Sequence, residues 1–420
     1  MTAAAMPRSK PNVVLAMLLL VYIFNFVDRQ ILAILAAPIQ ADLDLDDQQM
    51  GLLGGIAFAV LYSTLAVPLA WLADRTNRSW VIAISLGCWS LFTALCGFAQ
   101  NFWQIFLARL GVGVGEAGGV APSYAVISEY FPSHRRATAL SVYSLGVPLG
   151  SAVGVMAGGY IAYAVDWRTA FLVVGFAGFL VMPVFKLLVH DKPKPAAAEM
   201  PEAPKFAEVV SMLSRKASFW LMAFGAATAS MLGYGIAFWL PSLLQRSFGL
   251  DLVGTSQFIG VVTLLSGVTG VMLGGWLGDW LGLRDRAFYT YIPATAFLIG
   301  VPFFAAGLYS GSVTAAFFLF LIPQAMSYMW LGPILAAVQH LVPAPARSTA
   351  ASLFLLINNL IGLGGGIYAL GAISDYLSPI YGTEALRYSM LYSLGIYCIS
   401  ATLLAFAGAK LRKDWVADPA

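Results

Sequence analysis

Charge is what this sequence lacks most. Only 10% of its 420 residues are Asp, Glu, Lys or Arg, where soluble domains carry about 25%. A chain so poor in charge and 60% hydrophobic has too little polar surface to face water all round, which excludes an ordinary soluble protein and points to a membrane. Cysteine is scarce too. Cys88, Cys96 and Cys398 all lie inside apolar runs, with neither a disulfide framework nor a metal-ligand spacing, so each reads as a small packing residue. Among the three histidines, His134 and His340 are isolated and read as interfacial loop residues. There is no Gly-rich phosphate loop, no Ser/His/Asp arrangement and no Cys/His cluster, which argues against an ATP-driven pump and against an intramembrane enzyme. A net charge of +3, with the bases spread among loops, offers no patch for nucleic acid. The N-terminus has no short apolar core followed by a small-residue cleavage site, so no removable signal peptide is expected.

What the chain has instead is long apolar runs. A bilayer core takes about 20 residues of helix, and twelve segments qualify, at 13–40, 50–73, 79–99, 103–127, 137–164, 169–189, 218–245, 254–280, 288–308, 314–341, 348–376 and 386–410. Prolines interrupt several of them (Pro38, Pro68, Pro122, Pro148, Pro241, Pro323, Pro333), which membrane helices tolerate. The one long connection, His190 to Ala217, is rich in Pro, Ala, Lys and Glu. Such a segment buries too little apolar surface to fold by itself and reads as a linker with a short amphipathic helix near Phe206–Leu213. The expected architecture is an all-α membrane protein of twelve transmembrane helices, with an N-terminal six-helix bundle (1–189), a cytoplasmic linker (190–217) and a C-terminal six-helix bundle (218–420). With both termini inside, seventeen Lys and Arg fall on the cytoplasmic side and only Arg168, Arg246 and Arg387 on the other, a strong positive-inside bias. The expected location is a bacterial inner membrane.

The charges that do occur at membrane depth are therefore informative. Asp28 and Arg29 follow seventeen uncharged residues and precede twelve more. A charge at the centre of a membrane helix costs about 2.5–3.5 kcal/mol on insertion scales. Adjacent helical residues point about 100° apart, so one member of the pair is expected to face a polar cavity and the other to brace a neighbouring helix. Arg109 and Glu116 stand seven residues apart, close to two turns, and share a face. The glycines between them permit close approach by another helix, expected to be the first. Two acids and two bases are formally neutral. They read either as a closed network that holds the N-terminal half together, or as the site that handles a proton or an anionic substrate.

An internal repeat supports the division into halves. Ala70-Trp-Leu-Ala-Asp74-Arg75-Thr-Asn-Arg78 follows the second apolar segment, and Gly275-Trp-Leu-Gly-Asp279-Trp-Leu-Gly-Leu-Arg284-Asp-Arg286 follows the eighth. Two six-helix halves around a midplane site are the layout of secondary transporters. Both loops resemble the signature loop of the major facilitator superfamily, although Ala70 and Asn77 replace its glycines in the first copy. Arg109-Leu-Gly-Val-Gly-Val-Gly-Glu116 resembles that superfamily's second motif, whose arginine is implicated in proton coupling. Asn25-Phe-Val-Asp28-Arg29 with Gly115-Glu116-Ala117 most resembles the spinster-type lipid transporters. The resemblance implies a monomeric, proton-coupled carrier working by alternating access on a lysophospholipid or sphingoid phosphate, with protons as the coupling ion and no other cofactor. A very similar Asp-Arg pair occurs in superfamily symporters of small organic anions such as sugar acids, which leaves that alternative open. Asp74, Arg75, Arg78, Glu129 and Arg135, with Asp279, Arg284 and Arg286 in the second half, are candidates for a cytoplasmic gate. Candidates for lining a substrate pocket are Asn25, Tyr234, Phe238, Trp239, Tyr328, Trp330 and Asn358. A receptor-like scaffold without transport would not need the central charges, so a carrier is expected rather than a scaffold or an enzyme.

Overall fold

The computed structural model of the chain describes residues 9–191, 206–343 and 346–416. Half of the expected linker, residues 192–205 with Lys192, Lys194 and Lys205, lies outside the described residues, as do the side chains of Asp74, His134 and Arg136. Among the described residues there are helices and no strands. With no water in the hydrocarbon core, a helix that satisfies its own backbone is the expected solution for such apolar runs.

The helices follow one another along twelve paths, most of them broken. The first six are α1 (Pro11–Ile34) with α2 (Ala36–Leu43), α3 (Asp47–Gly54) with α4 (Ile56–Arg75), α5 (Arg78–Cys96), α6 (Phe102–Glu116) with α7 (Val120–Tyr130), α8 (Ser133–Ser144) with α9 (Gly146–Ala164), and α10 (Trp167–Leu188). The short α11 (Phe206–Ser214) stands where the amphipathic linker helix is expected. The last six are α12 (Ala217–Phe248), α13 (Leu252–Gly282), α14 (Phe288–Leu308), α15 (Val313–Tyr328) with α16 (Leu331–Gln339), α17 (Arg347–Asn358) with a π-helical turn (Asn359–Gly365) and α18 (Gly366–Tyr381), and α19 (Ala385–Ser393) with α20 (Gly395–Asp414). Among the described residues, ten helical stretches are long and apolar enough to cross a membrane. The α6–α7 path misses that criterion because it is split, and residues 349–414 run through two successive paths. Ten stretches and twelve paths therefore agree.

The prolines explain where several paths break. Pro38, Pro122, Pro148 and Pro333 each fall in the first turn of a new helix, α2, α7, α9 and α16. A proline has no N–H to give to the preceding turn, and the first turn is where that loss matters least. Polar caps set other starts. Asn77, standing where the signature loop has a glycine, accepts the Trp80 N–H at the head of α5, and Asp166 accepts the Thr169 N–H at the head of α10. That bond holds the Asp166 carboxyl below the usual carboxylate range.

Two compact units result. The first comprises the described parts of 1–32 and 60–196, and the second those of 33–59 and 197–420. The units thus differ from a simple division at the linker in one segment, 33–59, which carries the far ends of the first two paths.

Inside the first unit, close helix packing rests on two glycine rows. Gly146, Gly150 and Gly154 of α9 lie against α1. A methyl on Gly150 would stand 2.5 Å from the Ile23 carbonyl oxygen, and one on Gly154 would stand 2.8 Å from the Val27 Cα. The glycines of α6 behave otherwise than expected. Gly111 packs under the Phe92 ring and Gly115 on the Trp89 backbone, both on α5, the third path rather than the first. The reason is angular. Arg109 and Glu116 occupy the side of α6 that meets α1, and the glycines occupy another side.

Candidate functional site

The first unit gathers all four expected charges. Asp28 on α1 accepts a hydrogen bond from the Thr93 hydroxyl on α5 and pairs with Arg109 on α6 at 3.4 Å. Arg29, next along α1, donates from Nε to Glu116 Oε2 at 2.8 Å, with a terminal nitrogen also 2.8 Å away. The two neighbours differ in exposure and both reach neighbouring helices: Asp28 and Arg109 are 1% exposed and Glu116 is fully buried, while the Arg29 side chain keeps 13% exposure. Arg29 is the member that faces outward. Its guanidinium lies 4.5 Å from the Tyr62 ring centre and 5.1 Å from that of Phe26, a contact that favours a weakly hydrated cation. Tyr22, Tyr143 and Tyr124 continue the aromatic wall, Tyr22 stacking on Tyr143 at 4.3 Å.

Two buried polar groups in this cluster are unsatisfied among the described residues. Glu116 uses only Oε2, and its Oε1 has no hydrogen-bond partner. Asn25, one turn before Asp28, is 2% exposed, and neither end of its amide is paired. Buried groups of this kind are uncommon and call for an explanation such as water, a proton or a ligand.

The gate candidates separate. Arg78 forms a salt bridge with Glu129. Arg75 instead lies 3.9 Å over the Trp71 ring, and Arg135 is exposed. In the second unit Arg284 lies over Trp280 and Arg286 over Trp415, at 4.6 Å each, and Asp279 is exposed. Asp285, which the sequence reading left out, takes a two-pronged bond from Arg412 at 2.9 and 2.5 Å. This bond holds its carboxyl below the usual range. Trp415 also stacks on His340, at 4.3 Å, so the tail residues occupy the second signature loop.

The pocket candidates of the second unit separate as well. Phe238 fills the space over Gly54, and Trp239 is fully buried with its N–H on the Ile367 carbonyl, so both are packing residues. Trp330 is buried against Phe354. Asn358 accepts the Ser230 hydroxyl at 2.8 Å. Tyr234 and Tyr328 are half-buried. The second unit also holds a clasp that the sequence did not reveal. Asp47, at the start of α3, accepts both terminal nitrogens of Arg246 at 2.7 and 2.8 Å, along with Gln40 and Ser374. Asp375 on α18 accepts the N–H groups of Asp47 and Gln48. No run of residues announces it, because its members come from distant parts of the chain.

A profile of the major facilitator superfamily matches residues 18–366. The chain belongs to the major facilitator superfamily. It is 30% identical over 406 residues to an MFS-type efflux pump of Mycolicibacterium smegmatis, covering 96% of this chain and 93% of that one. It is 28% identical to protein spinster homolog 1 of Homo sapiens, covering 94% and 78%. Its fold matches the crystal structure of a bacterial homolog of the human lysosomal transporter Spinster, in an inward-facing and unoccupied conformation, with a TM-score of 0.87, 28% identity and coverage of 98% and 99%. This is a multi-pass integral membrane protein and a transporter of spinster type.

Proposed function

We propose that the chain is a proton-coupled secondary active transporter of an amphipathic anion, of the lysophospholipid or sphingoid phosphate type, working by alternating access. The observation that carries the reading is the buried Asp28–Arg109 and Arg29–Glu116 set with one carboxylate oxygen, Glu116 Oε1, left without a partner. A proton arriving at Oε1 neutralises Glu116, and Arg29 loses the charge that holds it. Leaving the half-buried Arg29 guanidinium without its counter-charge costs free energy, and an anionic head group on Arg29 offsets that cost. Proton and anion binding are then positively linked, because each makes the other less costly. Phe26, Tyr62 and the tyrosines beside them supply an apolar wall next to the cation, which suits an amphiphile better than a sugar acid. Asp28 and Arg109, fully enclosed, set the position of the pair by way of Thr93.

Alternating access then requires the two halves to exchange exposure of this site. The distribution of lysine and arginine supports both termini on the cytoplasmic face of a bacterial inner membrane. The carrier is taken to be a monomer, in contact with lipid and substrate and with no nucleic acid, and protons serve as its coupling ion.

The reading is tested by binding of a lysophosphatidic acid to the purified chain as a function of pH. The account predicts tighter binding as pH falls, and loss of that dependence in Glu116→Gln with binding itself retained. Binding of gluconate in its place, with no affinity for the lysophospholipid, moves the assignment to a small organic anion carrier.

A further inference from the structure

The two signature loops differ on the surface of α13. In the first loop, Arg75 follows Trp71 by four residues and lies 3.9 Å over its ring. In the second, Trp276 stands where Trp71 does and Trp280 takes the arginine's place, with Arg284 four residues later. The two indoles are stacked, 5.7 Å apart at 6°, and the Arg284 guanidinium lies 4.6 Å from the Trp280 ring centre. The second copy thus adds an aromatic layer and carries its cation one turn, about 6 Å, further along the chain. Met272 extends the strip backward, and Met272, Trp276 and Trp280 are 68%, 61% and 47% exposed. The packed side of α13 is elsewhere. Gly274, Gly278 and Gly282 lie against Met329, Pro333 and Tyr289, and helical residues two positions apart point about 200° apart. Beyond its stack on Trp280, the Arg284 guanidinium has no hydrogen bond or ion pair among the described residues. Of the acids nearby in sequence, Asp285 is held by Arg412, and Asp279, five residues before Arg284, is turned about 140° from it.

We propose that Arg284, stacked on Trp280 and Trp276, binds the phosphate of an anionic phospholipid of the surrounding bilayer, whose acyl chain lies along the strip toward Met272. The span Leu252–Gly282 is long and apolar enough to cross a membrane. Its exposed strip is therefore met by lipid tails, and Arg284, two residues past its end, stands among their head groups. The strip has an apolar length and one terminal cation, which are the two parts a phospholipid matches. Charge selects the head group. Arg286, Lys410, Arg412 and Lys413 share this end of the unit, and bases gathered beside a membrane draw anionic lipid. A guanidinium is weakly hydrated and forks onto phosphate oxygens. Resting on an indole fixes its plane and lowers the ordering cost of binding. The site concerns a lipid that stays with the protein and is independent of the molecule carried.

In the test, the full chain in a neutral detergent is titrated with phosphatidylglycerol, phosphatidylcholine or sodium phosphate, and thermal unfolding reads the binding. One base beside an anionic lipid is worth about fivefold in affinity. Wild type is therefore expected to be half-stabilised by phosphatidylglycerol at about one-fifth of the concentration needed with phosphatidylcholine, and to be unmoved by phosphate. Arg284→Gln removes the charge, and Trp280→Leu keeps the strip apolar but removes the ring. Both side chains are exposed, so without lipid both variants are expected to unfold as wild type does, and with lipid to lose the preference. A preference that survives in either variant overturns the stacked site and assigns the selectivity to the other bases at this end. Equal response of wild type to the two lipids also overturns it and leaves an apolar surface only. Stabilisation by sodium phosphate as effective as that by phosphatidylglycerol overturns the lipid assignment, since the strip then has no part in binding.

Discussion

The first unit buries Asp28, Arg109 and Glu116 among its helices, whereas the second, apart from Asp47, buries only uncharged polar side chains among its described residues. The two units repeat a signature loop and a six-path plan, yet they spend their polar groups differently. The difference teaches that the repeat preserves packing and not chemistry. Glycine rows and proline breaks recur in both, since any helix bundle needs close approach and tolerates a kink. Ionisable groups at depth are expensive, and they are kept where a proton or an anion has a use for them. Hydroxyls and amides are cheaper to bury than charges, and these are what the second unit encloses.

The largest effect expected from breaking this contrast comes from the enclosed arginine. Arg109→Ala leaves Asp28 charged and buried with the Thr93 hydroxyl as its remaining hydrogen-bond donor among the described residues, and a loss of about 3–5 kcal/mol is expected. Thermal unfolding of the purified protein reads it, and the double variant with Asp28→Asn is expected to recover much of the loss. Recovery of nothing would mean that the pair is not the reason Arg109 matters. Next is the clasp of the second unit. Arg246→Ala strands Asp47 at the head of α3, and a drop of about 1–3 kcal/mol is expected for a half-exposed partner. In a double-mutant cycle with Asp47→Asn, a coupling of about 0.5–3 kcal/mol is expected, and a value near zero would remove the clasp from the account. The smallest effect belongs to the tail. Arg412 holds the Asp285 carboxyl below its ordinary value. A depressed carboxyl contributes stability above its unfolded value, near 4, and loses it as pH falls through the folded value. Wild type and Arg412→Ala are therefore expected to differ slightly at neutral pH and to converge below about pH 4 in thermal melts. Divergence on acidification would contradict the assignment.

Much of this was legible in the sequence, and the reason is the apolar background. Against runs without charge, Asp28, Arg29, Arg109 and Glu116 stand out singly, and a seven-residue spacing is enough to put two of them on one face. The two signature loops are legible because both copies lie in one chain. Pairings across the fold are not. Nothing local to Thr93 or Tyr62 distinguishes them from dozens of similar residues, and Asp47 and Arg246 stand 199 residues apart. The glycines of α6 were read correctly as contact residues and assigned to the wrong neighbour, since spacing gives a face but not its partner. Aromatics are hard to sort for a related cause. Phe238 and Trp239 are equally compatible in sequence with packing, which is what they do, and with a pocket, while the rings around Arg29 come from α1 and α4 and become a set only once those helices meet.

The central claim is that the buried carboxylates of the first unit couple a proton to transport, and flux tests it most directly. Labelled lysophospholipid movement into proteoliposomes would be followed with and without an imposed pH gradient, for wild type, Asp28→Asn and Glu116→Gln. The account predicts gradient-driven accumulation in wild type and its loss, by about tenfold, in at least one variant that still folds and still exchanges substrate without a gradient. Accumulation that responds to the gradient equally in all three proteins would contradict it.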